Sequence, residues 1–277
     1  MPTRPLGRTG CNVSLLALNG GGVLQGASDV SEDRASSLLR SAIESGVSLI
    51  TTAPALGDGR SEERVGRAVA ARREEVFLAT CTHDCSYAGT LRSCEQSLKR
   101  LQTDRIDLYL LDLDQLQNAQ ELDAVLSASG GRGALDRLRD EKIIRFIGIA
   151  GKRKASLLLR SIQSYPFDVL QMSLNAADVH TNPHREVLLK TADEKGLGII
   201  AADPTASNRV FSDSGVSSFE DALGYVYSFP VSCSAVNATS MVDLEQAVLA
   251  TRQFDEPFPT ERLLAIEEAT SFCAADL

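Results

Sequence analysis

Short, nearly continuous apolar runs alternate along this chain with longer segments whose apolar positions recur at helical spacing. The runs are 15–20 (LLALNG), 47–53 (VSLITTA), 76–81 (VFLATC), 106–112 (IDLYLLD), 146–151 (FIGIAG), 168–174 (DVLQMSL), 197–203 (LGIIAAD) and 231–237 (VSCSAVN). Runs of this length without polar alternation suit parallel strands covered on both faces. Amphipathic segments between them predict helices at 31–45, 60–72, 88–101, 132–141, 153–164, 183–195, 218–228 and 241–252. Ser31 is placed to cap the first of these helices and Gly46 to stop it. Strand then helix, eight times over, is the pattern of an α/β fold closed into a (β/α)8 TIM barrel. The first fifteen residues, with turn signals at Gly7 and Gly10, predict an N-terminal hairpin under the barrel. The segment 259–274 predicts an extra C-terminal helix outside the repeat. The longest irregular connection is 113–131, on the face where such barrels carry their chemistry.

Composition agrees with one barrel domain over 1–277. The chain is 43% hydrophobic and 23% charged, and such a barrel takes about 250 residues. A net charge of −9 argues against nucleic acid or an anionic membrane as partner, because both need an electropositive face. The compact basic run Lys152-Arg153-Lys154 reads as a solvated loop. No apolar run is long enough to span a bilayer and the N-terminus lacks the apolar core of a signal peptide, so a cytoplasmic location is expected. The six scattered cysteines then read as free thiols.

In such a barrel the residues ending each strand carry function. Here the chain resembles the aldo-keto reductase family, its short bacterial branch in particular. The segments RPLGRTGCNVS, GDGRSEERVG, SCEQSLKRLQTDRIDLYLL, IIRFIGIAGK, FDVLQMSLNAADVH and FPVSCSAVNATSMVDLEQAV follow the family's order and cover most of the sequence. The resemblance implies a barrel that binds NADP(H) and reduces aldehydes or ketones. A Tyr donates the proton there, tuned by Lys and Asp, and a His orients the carbonyl. A phenol whose ordinary pKa is near 10 needs that neighbouring ammonium to share its proton at neutral pH.

Carried over residue by residue, the resemblance finds all four catalytic positions substituted. The Asp position holds Thr51, the Tyr position Leu56, the Lys position Cys81 and the His position Asp112. The nicotinamide-binding Ser-Asn pair reads Ala150-Gly151 and the stacking aromatic reads Leu174, while Gln171 matches the carboxamide-binding Gln. Asn175 matches a common Asn. Asp203-Pro204-Thr205 stands where backbone meets pyrophosphate, and a carboxylate there repels it. Asn237, Ala238 and Thr239 stand near the end of the last strand, without the Lys and Arg that grip a 2′-phosphate, although the helix start at Met241 offers N–H groups. By resemblance the cofactor is NADP, weakly bound or lost.

Three functional readings follow. In the first, the barrel has lost carbonyl reduction and serves as a scaffold for a small-molecule ligand or a protein partner. In the second, the old pocket performs redox-independent chemistry, as a lyase, dehydratase or isomerase, using Asp112 with Cys81 or His83. In the third, it is an NADP-dependent oxidoreductase that uses unfamiliar groups. Cys81, His83, Cys85 and Asp112 are also soft and hard ligand types at one strand end. Their spacing is not the C-x2-C of structural zinc sites, and the plain reading is a buried thiol, a surface His and a surface thiol with no metal. His180 and His184 read as a solvated loop, one of them capping around Pro183. Arg60, Glu62 and Glu63 read as charges on the first turn of a helix, and Thr51 and Thr52 as packed hydroxyls bonded locally.

Overall fold

Eight parallel strands close into a barrel in the computed structural model, which describes residues 1–21, 32–152, 154–182, 184–211 and 216–272. The hairpin comes first, β1 (Thr3–Pro5) antiparallel to β2 (Asn12–Ser14). The barrel strands are β3 (Leu16–Asn19), β4 (Leu49–Thr51), β5 (Phe77–Thr82), β6 (Ile106–Asp112), β7 (Ile144–Gly151), β8 (Val169–Ser173), β9 (Gly198–Ala202) and β10 (Cys233–Val236). They pair in chain order, and β10 closes on β3. Each lies inside a run predicted from the sequence or overlaps it. The hairpin seals the lower end. The Arg4 guanidinium donates to the carbonyls of Val231 at 2.9 Å and Tyr227 at 3.1 Å. Gly7 sits at φ +52° with the backbone N of Gly198 only 2.1 Å from where a Cβ would stand, so no other residue fits there.

Successive strand residues point to opposite faces, and this period of two sorts the core into two clusters. Ala17, Leu49, Ala79, Leu108, Val169 and Ala235 fill the barrel interior. Ile50, Leu78, Tyr109, Leu111, Leu170 and Val236 join the larger layer between barrel and helices. The inward series fixes which residues reach the upper mouth. Thr51 is two beyond Leu49, Cys81 two beyond Ala79, Asp112 two beyond Leu110, and Gln171 two beyond Val169.

The helices are α1 (Glu32–Glu44), α2 (Arg60–Val69), α3 (Tyr87–Leu101), α4 (Ala119–Leu126), α5 (Gly131–Asp140), α6 (Ala155–Ser164), α7 (Asp178–Thr181), α8 (Arg185–Glu194), α9 (Phe219–Tyr227), α10 (Met241–Gln253) and α11 (Thr260–Ala269). Ser31, Arg153, Pro183 and Cys273, to which sequence reasoning gave roles, lie outside the described residues, as does the end of the predicted 259–274 helix. The expected irregular stretch 113–131 instead contains α4. The Asn118 side chain caps it by accepting the Glu121 N–H at 3.0 Å, and Leu122 and Val125 supply its buried stripe. Asn-x-x-Glu before an apolar pair was its signal. α2 is shorter than predicted, tightening into a 3-10 turn over Ala70–Glu75. Among the described residues no helix is long and apolar enough to cross a membrane.

Candidate site at the barrel mouth

Cys81 and His83 lie two residues apart at the end of β5, so both face the barrel axis. In the parallel ladder Cys81 pairs with Leu110 and Thr82 with Leu111, which brings His83 level with Asp112. His83 Nε2 stands 3.3 Å from Asp112 Oδ2. Asp112 Oδ1 accepts the Asp114 N–H at 2.9 Å, so one carboxylate oxygen holds the turn after β6 and the other faces the imidazole. One donor atom each of Cys81, His83 and Asp112 lies within 4.8 Å of the other two. The plain surface reading of these side chains needs correction. His83 is only one-third exposed, and Cys85 is buried, its thiol donating to the Asp112 carbonyl at 3.3 Å.

The electrostatics follow from burial beside a carboxylate. Burial pushes the Cys81 thiol well above its ordinary value, and Asp112 pushes it further. Cys85 is pushed to about 12 by burial and then Asp112. The hydrogen bond to Asp112 raises His83, outweighing its partial burial. Without a cation the mouth therefore holds a neutral thiol, a poor nucleophile, beside an imidazole–carboxylate pair suited to proton transfer.

The other sequence-nominated residues divide into engaged and unengaged groups. Thr52 bonds Ser61 through their hydroxyls at 2.7 Å, as expected. Thr51 corrects that expectation, because its Oγ1 is buried without a partner. Leu56 lays its methyl groups against Gly21, 3.2 Å from the position of a Cβ there. Leu174 is fully buried in the outer core. Gln171 Oε1 and Asn237 Oδ1 are buried with no partner among the described residues.

Asn175 is absorbed by the loop. Its Oδ1 accepts the N–H groups of Ala177 at 3.0 Å and Asp178 at 3.2 Å, and its Nδ2 donates to the Asp203 carbonyl at 3.3 Å. Ala238 is buried. Just before α10, two N–H groups are taken up by the protein itself. Asp243 Oδ2 accepts Thr239 N–H at 2.9 Å, Thr239 Oγ1 at 2.7 Å and Ser240 N–H at 3.0 Å. Asp203, at φ +55°, accepts the Ser207 N–H at 2.7 Å and so closes its own turn. A polar cleft of about 460 Å³ lies over the ends of β7, β8 and β9, with Lys152, Asp178, Asp203 and Arg209 in its walls.

Glu62 and His180, named as a first-turn charge and a loop histidine, behave differently from expectation, while His184 is exposed as read. Glu62 on α2 is fully buried, accepting from Thr80 Oγ1 at 2.8 Å and Arg100 Nε at 2.6 Å. His180 Nε2 lies 2.8 Å from the Glu267 carbonyl on α11. His184 stands before α8 and makes no side-chain cap. Sequence reasoning missed Arg185 altogether. It is 2% exposed, donates to Tyr225 OH at 2.8 Å and pairs with Glu267 at 3.2 Å, which fastens α11 to α8 and α9. Nothing in its local pattern distinguishes it from a surface Arg.

Of the chain's five tyrosines, four have hydroxyls engaged by groups outside this mouth, and the fifth is sealed in the core. Tyr165 bonds Asp136, Tyr225 bonds Glu267, and Tyr227 meets Thr251 at 2.9 Å. Tyr87 is drawn to Arg137 on α5. Tyr109 is sealed in the outer core.

Residues 18–215 match the sequence profile of the Aldo/keto reductase family. The aldo-keto reductase YhdN of Bacillus subtilis is 42% identical over 101 residues, a match covering 32% of this chain and 30% of that protein. The chain thus spans under a third of the length of that curated relative. An aldo-keto reductase of Mycolicibacterium paratuberculosis is 29% identical over 213 residues, covering 74% of this chain and 71% of that one. Among solved structures, a thermostable aldo-keto reductase, Tm1743, in complex with the inhibitor epalrestat, superposes with a TM-score of 0.79 at 25% identity. That superposition covers 97% of this chain and 100% of the other.

Proposed function

This chain belongs to the aldo/keto reductase family, and from that premise we propose that it does not reduce carbonyls by the family's phenol-based proton transfer, its mouth being rebuilt around His83 and Asp112 for redox-independent acid–base chemistry on a small molecule. One observation carries the reading. At the position that the resemblance assigns to the proton donor stands Leu56, and every tyrosine hydroxyl is sealed in the core or bonded elsewhere. A hydride acceptor without a proton donor leaves an alkoxide unneutralised, a cost that general acid catalysis normally removes. In its place His83 and Asp112 form a couple at 3.3 Å, able to hold a proton at Nε2 and return it to a bound substrate.

The phosphate end of NADP(H) fits poorly. Just before α10, Asp243 already accepts the N–H groups of Thr239 and Ser240, which sets a carboxylate beside the helix start that a phosphate would use. Its negative charge would repel the ligand as well as compete with it. Asp203 adds a second carboxylate where pyrophosphate would meet backbone. These carboxylates support weak or absent cofactor binding, and no step is routed through the nucleotide.

A second reading, an NADP-dependent oxidoreductase with unfamiliar groups, has one observation in its favour. Gln171 Oε1 is buried and unpartnered, as an acceptor kept for a carboxamide would be. A thermal-shift series with NADPH, NADP+, NADH and NAD+, together with NADPH oxidation against a panel of aldehydes and ketones, separates the two readings. The proposal expects neither a shift nor turnover at millimolar cofactor. A clear rise with NADPH accompanied by carbonyl turnover would overturn it.

A further inference from the structure

We propose that Cys81, His83 and Asp112 form a binding site for one divalent transition ion, with Zn(II) the ion that best matches the donors. The proposal rests on the reading that this mouth has been rebuilt, and it gives the rebuilt pocket a Lewis acid: with the ion held, His83 Nε2 is a ligand rather than a proton carrier, and the ion's water takes over the proton transfer. Sequence spacing pointed away from metal, because ligands two apart on a strand do not resemble a zinc knuckle. The third donor comes from the neighbouring strand, and only the closed barrel brings it in.

The geometry is close to what the ion needs. Zinc binds imidazole nitrogen and carboxylate oxygen at about 2.0–2.2 Å, so two such donors on one tetrahedral ion stand about 3.3–3.5 Å apart. His83 Nε2 and Asp112 Oδ2 are already 3.3 Å apart. A zinc–sulfur bond of about 2.3 Å sets the sulfur about 3.6 Å from each of the other donors. All three donor atoms lie within 4.8 Å of one another, so the Cys81 thiol needs to close by about 1.2 Å at most.

The donor set selects the ion. A thiolate with imidazole and one carboxylate suits Zn(II), whereas Mg(II) and Ca(II) require mostly oxygen. Thiolate and carboxylate together also neutralise a 2+ ion, which lets the thiol give up its proton to solvent despite the carboxylate beside it. The backing is in place. The Asp114 N–H holds Asp112 Oδ1 at 2.9 Å, leaving Oδ2 turned to the ion, the kind of outer-layer bond that orients metal ligands. Three protein ligands at a mouth where His83 is one-third exposed leave a fourth position for water or substrate, the arrangement of catalytic rather than structural zinc. Such an ion would polarise a carbonyl or acidify its water, so the substrate class is a small polar molecule bearing a carbonyl, ester or amide oxygen.

The test is a Co(II) titration of the chelator-stripped full chain, read by absorption, with Zn(II) as competitor. Expected are one equivalent bound, a thiolate-to-cobalt charge-transfer band, the visible bands of four-coordinate Co(II), and displacement by Zn(II). Cys81→Ser should abolish the charge-transfer band. His83→Gln and Asp112→Asn should each weaken binding at least about tenfold, while Cys11→Ser, altered at the hairpin end, should bind as before. No charge-transfer band in the unmodified chain, or a band that survives Cys81→Ser, overturns the proposal. If Cys81→Ser does not fold, unchanged affinity in both His83→Gln and Asp112→Asn does so. NADPH-dependent carbonyl turnover would sink the reading of the mouth as rebuilt, yet leave this spectroscopic result standing.

Discussion

Glu62 and Arg100 meet inside the protein. The carboxylate has no exposed surface and accepts the guanidinium Nε at 2.6 Å, its second oxygen taking the Thr80 hydroxyl at 2.8 Å. This pair ties α2 to α3 and, through Thr80, to the outward face of β5, three residues before the inward-facing His83. Removing one partner strands the other charge in low dielectric. Arg100→Met is expected to cost about 3–5 kcal/mol in denaturant-induced unfolding. Glu62→Gln keeps a partner for Thr80 and should cost less. Equal losses would show that stranding the buried Glu62 carboxylate costs no more than stranding the Arg100 guanidinium.

Asp243 stands in for an anion. Its Oδ2 gathers three donors at the start of α10. Asp243→Ala should lose about 1 kcal/mol of helix capping and expose those donors. Inorganic phosphate at millimolar levels is then expected to raise the melting temperature of Asp243→Ala and not that of the unmodified chain. A rise of the same size in both proteins would mean that the carboxylate does not block the position.

Asp178 supplies a pH dependence. Burial raises its pKa above the ordinary 3.8, although hydrogen bonds from Ser173 and Asn175 oppose the shift. Between 3.8 and its raised value the folded state holds more protons than the unfolded state, so this group's contribution to stability falls as pH rises through that window. Asp178→Asn retains an acceptor for Ser173 and cannot ionise. The difference in unfolding free energy between Asp178→Asn and the unmodified chain should therefore grow in favour of the variant from pH 3.8 upward and then level off. A difference that does not vary with pH would refute this account.

Thr51 carries a hydroxyl that nothing among the described residues uses. A buried hydroxyl without a partner costs about 1–3 kcal/mol relative to an apolar group. Thr51→Val is expected to raise stability by about 1 kcal/mol or more, read as an upward shift of the denaturant midpoint with unchanged slope. Loss of stability would mean that the Oγ1 has a bonding partner in solution.

The eight strands, the hairpin and most helices were legible in the sequence because they depend on local periodicity. A parallel strand buried on both faces needs an unbroken apolar run, and a helix packed on a barrel needs an apolar stripe. Both are written within a few neighbouring residues. The family resemblance located Thr51, Leu56, Cys81 and Asp112 by position alone. What those residues do together was decided by barrel closure. β5 and β6 are parallel neighbours whose register sets His83 beside Asp112, with Cys81 on the same inward face. The inward turn of Glu62 toward Arg100, the Arg185 clamp on Glu267 and the use of Asp243 as an internal anion likewise depend on partners 38, 82 and, in the last case, 4 residues away. A charge in the sequence reads as solvated by default, since burying one is costly. Only tertiary structure supplies the opposite charge or the converging N–H groups that offset that cost.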